Sequence, residues 1–171
     1  MQLFRRDIPF IETLIERYQE QLYWHIRRMV VSHDDAQDVL QNTFIQIHLH
    51  IAELRKTESE RAWVYRVATN ESLQWLRQQR EYVSLDTDDA ASLLYALTTD
   101  NYTDTGDALL LQFQQAVLTL PTMQRTVFNL RYYDELPYEE IAEITGSTVS
   151  AAKTNYHYAK EKISKYMLRF I

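Results

Sequence analysis

The stretch PYEEIAEITGSTVSAAKTNYHYAKEKI, residues 137–163, decides how the rest of the chain reads. Pro137 suits a helix start, Ile141, Ala142 and Ile144 supply its apolar face, and Gly146 is the residue type that ends a short helix. A second helix is predicted to begin near Thr148. A short helix, a three-residue turn containing Gly and a longer helix make the pattern of a helix-turn-helix. On a wheel of about 100° per residue, Val149, Ala152, Tyr156, Ala159 and Ile163 form one stripe. They leave Ser150, Thr154, His157 and Tyr158 opposite, with Lys153 at the edge. Such residues on a helix that enters a major groove read base edges, and Lys holds phosphates. The same residues also suit an ordinary solvated face, so the spacing, rather than the face, points to DNA.

Working outward, residues 108–132 lead into this unit with Leu111, Val117, Leu118 and Leu120, then Pro121 and a helix over 122–132. Four helices therefore form the second half. In the first half, Ile11, Leu14, Ile15, Tyr18, Leu22 and Ile26 recur at three- and four-residue steps and predict a helix over 10–31. Ser32, Asp34 and Asp35 offer N-caps to a second helix, carried by Leu40, Phe44, Ile47, Ile51 and Leu54. The charged segment 55–60 reads as a loop, and a third helix follows over 59–81. The expectation is an all-α chain of two small helical domains, a three-helix bundle over 1–82 and a four-helix unit over 108–171, joined by an acidic linker over 83–107. Within that linker, Leu93, Leu94, Tyr95 and Leu97 are apolar enough to form a short docked helix.

Two Gly and three Pro in 171 residues are too few turn formers for a hairpin-rich β architecture. With no Cys there is neither a disulfide framework nor a thiolate metal site, and the default compartment is the cytoplasm. No apolar run approaches the roughly 18 residues of a membrane span, so no membrane insertion is expected. The net charge of -6 opposes autonomous DNA binding, because Lys and Arg supply most non-specific affinity. The distribution of that charge weakens the objection. Residues 83–107 hold Asp86, Asp88, Asp89, Asp100, Asp104 and Asp107 with no Lys or Arg, which accounts for the whole excess. A protein of this kind binds free DNA weakly and gains affinity from a larger partner.

The chain resembles the extracytoplasmic function group of the sigma-70 family of bacterial RNA polymerase sigma factors. LPTMQRTVFNLRYYDELPYEEIAEITG (120–146) followed by VSAAKTNYHYAKEKI (149–163) looks like the family's region 4, which recognises the −35 promoter element. The resemblance implies that Ser150, Lys153, Thr154, His157 and Tyr158 face DNA. Two positions that are frequently basic in the family are Asn155 and Tyr158 here. DDAQDVLQNTFIQIH (34–48) and ERAWVYRVATNESLQWLRQQR (60–80) are similar, in order and spacing, to region 2. The first motif implies contact of Asp35, Asp38 and Gln41 with core RNA polymerase, with Asn42 where the family usually has Glu. Acidic residues at a helix N-terminus also stabilise its dipole, which alone accounts for Asp34 and Asp35. The second motif implies capture of the −10 element, with Asn70 in a base pocket, Leu54 and Arg55 at its side and Arg66 and Arg77 near the backbone. Aromatic and Arg planes stack on unpaired bases and an Asn amide pairs with a base edge. Trp63 and Tyr65 read instead as core. The resemblance further implies an anti-sigma factor, often membrane-anchored.

Two other classes compete. A polymerase-independent DNA-binding regulator would use the helix-turn-helix alone and leave the first half to sense a ligand. An enzyme would need a cluster such as His33, Asp34, Asp35, Asp38, His48 and His50, yet only Asp34 and Asp38 share a face at four-residue spacing. No Gly-rich phosphate loop or HExxH pattern is present, so no enzyme, cofactor or metal is expected.

Overall fold

The computed structural model describes residues 2–82, 97 and 108–170, with side chains at 5–79, 97 and 108–170. The described elements are all helical. Helix α1 (Gln2–Val30) buries Leu14, Tyr18, Leu22, Ile26 and Met29, a stripe at three- and four-residue steps, and begins well before the expected position 10. The two-residue connection Val31-Ser32 folds α2 (His33–Leu49) against it. Ser32 caps α2 by accepting from the Asp35 N–H at 3.5 Å, and Asp34 and Asp35 sit in its positive first turn.

The expected second helix breaks at His50 (φ −114°, ψ 26°), so the first half has four helices rather than three. The short α3 (Ile51–Lys56) takes Arg55 and Lys56 out of the predicted loop. Its direction change puts Leu54 into the core, at 3% exposure. Helix α4 (Glu60–Tyr82) then packs on α1 and α2 through Ala62, Trp63, Val64, Tyr65 and Ala68, so both aromatics are core, as expected. Fully burying a side chain such as Val64 or Leu54 stabilises the fold by about 1.5–3 kcal/mol.

The second half holds four helices, α5 (Ala108–Leu118), α6 (Thr122–Tyr132), α7 (Tyr138–Thr145) and α8 (Val149–Met167), with a last 3₁₀ turn (Leu168–Phe170). Ala116, Val117, Leu120, Phe128, Ala159 and Ile163 make a small core of its own. A larger core runs through both halves, because α7 packs against α4 and α6 against α1. Leu97 is helical and buried in that shared core; Leu93, Leu94 and Tyr95 lie outside the described residues.

Two non-glycine residues have positive φ, Val31 (73°) and Glu135 (54°). Val31 is β-branched and buried, so its backbone is strained by an amount of order 1–3 kcal/mol. Both border the contact between the halves: Val31 follows the end of α1, and Glu135 follows Asp134.

Candidate nucleic-acid and polymerase interface

Gly146 closes α7 in the left-handed region (φ 64°, ψ 34°), where the Ser147 N–H reaches back to the Ala142 carbonyl at 2.9 Å. Thr148 then caps α8, its hydroxyl accepting from the Ala151 N–H at 3.0 Å. These two local devices set the turn of the helix-turn-helix. A Cβ on Gly146 would meet nothing within 4 Å, so the cost of a side chain there is backbone strain alone. Gly146→Ala is expected to destabilise the protein by about 1–2 kcal/mol, read as a lower urea midpoint with an unchanged slope.

On α8, Ala152, Ala159 and Ile163 are buried and Val149 and Tyr156 half-buried, the stripe expected from the wheel. Ser150, Lys153, Thr154, His157 and Tyr158 are all exposed. The Lys153 ammonium lies 5.8 Å from the centre of the Tyr138 ring on α7, and His157 Nε2 is 3.5 Å from Glu161, one turn on. The second contact places a carboxylate on the same outer face; four-residue spacing from His157 marks it in the sequence, and sequence reasoning passed over it.

On α4, Arg66, Asn70 and Arg77 are exposed and fall within about 40° of one another at 100° per residue, so they share one stripe. The other two residues assigned to the −10 side do not join them. The Leu54 side chain is buried and anchors α3 in the core. Arg55 turns toward the start of α1, bonding Asp7 at 2.6 Å and lying 4.8 Å from the Phe10 ring centre.

On α2, Asp38 and Gln41 are exposed and Asp35 is half-buried beside its cap. Asn42 is exposed as well. The stripe that starts at Asp38 and Gln41 continues through Ile45 (47% exposed) and Leu49 (65%), which recur at four-residue steps. These exposed apolar residues were not marked from sequence, although the spacing holds the signal. His33 and His50 are engaged by Tyr23 and Glu53, and among the described residues no group of three or more His, Asp or Glu could hold a metal ion. Among them, too, no helix is long and apolar enough to cross a membrane.

The Sigma-70 region 2 family model matches residues 14–82, and the Sigma-70, region 4 model matches residues 110–163. The ECF RNA polymerase sigma-E factor of Haemophilus influenzae is 30% identical over 167 residues, covering 92% of this chain and 87% of that protein. This chain belongs to the ECF sigma factors of the sigma-70 family. The ECF sigma factor SigW of Bacillus subtilis is 28% identical over 174 residues, covering 97% of this chain and 93% of its own. Among solved structures, the sigma factor RpoE from Bartonella quintana, in complex with the anti-sigma factor NepR, has a similar fold. Its TM-score is 0.71 at 18% identity, over 91% of this chain and 95% of that one. CnrH, in complex with the cytosolic domain of CnrY, gives 0.66 at 19% identity, over 96% and 91%. As a sigma factor the protein directs RNA polymerase to promoters and is not an enzyme. The region 2 match across α1–α4 assigns the first half to initiation rather than to the ligand sensor of a polymerase-independent regulator.

Proposed function

We propose that this sigma factor divides its task between three exposed surfaces. Residues 1–82 form region 2, in which Asp35, Asp38 and Gln41 dock on core RNA polymerase, with Ile45 and Leu49 extending the contact as an apolar strip. The α4 stripe of Arg66, Asn70 and Arg77 captures the −10 element. Residues 108–171 form region 4, whose α8 face of Ser150, Lys153, Thr154, His157 and Tyr158 reads the −35 element. Residues 83–107 link the two. The observation that carries this division is that every residue assigned to DNA on α4 and α8 is exposed. The site of action is the cytoplasm, and an anti-sigma factor completes the partner set, a reading supported by the neighbours solved with NepR and CnrY. Family resemblance makes a membrane-anchored anti-sigma factor the first to seek.

Run-off transcription with core polymerase and a library of promoter-like templates tests this. Specific transcripts are expected only when the protein is present, and they deliver the −35 and −10 sequences together. Reversing the charge of exposed Asp38 to Arg is expected to reduce capture of core polymerase at least tenfold in a pull-down, a size in line with the 2–5 kcal/mol seen at buried charged contacts. Undiminished capture would remove the docking role from α2.

A further inference from the structure

Helix α8 carries four Lys and a single acidic residue, Glu161. A carboxylate on a surface that approaches DNA is repelled by phosphates, so its place on the helix decides whether it can serve there. At about 100° per residue Glu161 projects about 20° from Ser150, between His157 and Thr154, which is the middle of the exposed face. The cations take the margins. Lys153 and Lys160 lie about 80° and 100° to one side of Glu161, and Lys162 about 100° to the other. The Lys160 ammonium is drawn outward, 4.9 Å from the ring centre of half-buried Tyr156. A helix seated in a major groove about 12 Å wide has a phosphate wall on each side and base edges beneath its midline. Lysines at both margins therefore meet the walls, and Glu161 points at bases.

Glu161 is also held. His157 Nε2, one turn back, is 3.5 Å from its Oε1, and the two side chains keep 65% and 51% of their surface exposed, so both can reach a partner. With Oε1 engaged by the imidazole, the second carboxylate oxygen is left for a donor from outside. Both residues line an open depression along α8 together with Lys160 and Lys165, whose charges offset that of the carboxylate. Along the axis Glu161 sits about 12 Å beyond Lys153, more than three base-pair steps, so the base pair beneath it is distinct from the one nearest Lys153.

We infer that Glu161 is a specificity-determining residue of the −35 face: its carboxylate accepts from an exocyclic base amine, cytosine N4 or adenine N6, and His157 is the positioning residue that aims it. This rests on the reading of α8 as the −35 helix proposed above. An ionised carboxylate offers acceptors only. Guanine presents N7 and O6 to the major groove and thymine presents O4, all acceptors, so either would meet a desolvated carboxylate lone pair to lone pair. Cytosine N4 and adenine N6 are the donors of that groove, and cytosine brings no neighbouring acceptor, which makes it the favoured base. An ordinary pair at four-residue spacing on a solvated helix, by contrast, stabilises the helix slightly and discriminates among no bases.

The run-off library, repeated with core polymerase and full-length variants, reads this base by base. Glu161→Ala should lower the discrimination at one base pair of the −35 element by about fivefold to a hundredfold and leave the other positions as they are. Glu161→Gln should move the preference there toward adenine, whose N6 and N7 a Gln amide pairs together. His157→Ala should weaken discrimination at the same base pair, and His157→Gln, whose amide N–H replaces that of the imidazole, should restore most of it, which a merely structural role would not produce. Templates with 2-pyrimidinone for cytosine or purine for adenine at that position, each lacking only the amine, should cost wild type the same factor and Glu161→Ala nothing. An equal rise in transcript from all templates with Glu161→Ala would make Glu161 a repulsive charge alone. That result, unchanged base ratios, or indifference of wild type to the missing amine on both strands overturns the inference while leaving the −35 reading intact. Preferences at the −35 element that survive loss of Lys153 and His157 together remove the reading of α8 itself, and no transcripts from wild type remove the initiation reading; the inference falls with either.

Discussion

Replacing Lys153 and His157 together with alanine is expected to lower affinity for the −35 duplex by one to two orders of magnitude and to relax its sequence preference. Each contact to a base edge is worth about 1–3 kcal/mol, and two residues one turn apart on the same face are too close for their effects to add in full. Both side chains are exposed, so stability should move by no more than about 0.5 kcal/mol. Anisotropy titrations over a salt series separate their roles. A residue on phosphate weakens binding to every sequence and reduces the salt slope by about 1, whereas a residue on a base weakens binding chiefly to the preferred element. Unchanged affinity and preference in the double variant would take recognition away from this face of α8.

Leu130→Ala is expected to destabilise the protein by about 2–5 kcal/mol, since the side chain is fully buried and its removal leaves a cavity. The shared core extends the expected effect to the other half. All three Trp, at 24, 63 and 75, lie in the first half, while Leu130 lies in the second. If the halves unfold as one unit, the Trp fluorescence transition should shift by several degrees, at about 2–4 °C per kcal/mol for a chain of this size. A change confined to circular dichroism, with the Trp transition unmoved, would mean that the halves unfold independently and that the core through both adds little to stability.

Much of the fold is legible in residue spacing. The stripes of α1 and α8 follow from apolar residues three and four apart, and the turn at 146–148 from one Gly and one Thr, because helices and caps are set by neighbours in the chain. The exposed residues of the α8 face are legible for the same reason: once the buried stripe is known, the opposite face is known. Leu54 escapes such a reading because its period continues that of α2, and the break at His50 turns it inward. The pairing of Arg55 with Asp7, 48 residues away, is likewise marked by no spacing in the chain.

From the sequence alone come the all-helical class, the helix-turn-helix, the division into two helical halves around an acidic segment, and the resemblance to sigma factors. All of these depend on local period or on motif order. The tertiary structure decided that the halves close on each other, and that Asp134 sits beneath Tyr65 and Arg28 with Arg61 gripping Glu140 at the margin. The Tyr65 and Arg61 pairings join residues 69 and 79 positions apart, and no spacing in the chain marks them. Nor does sequence distinguish Asp134 from any other Asp, since what pushes its carboxyl up to about 6 is burial, a property that exists only once both halves are packed around it.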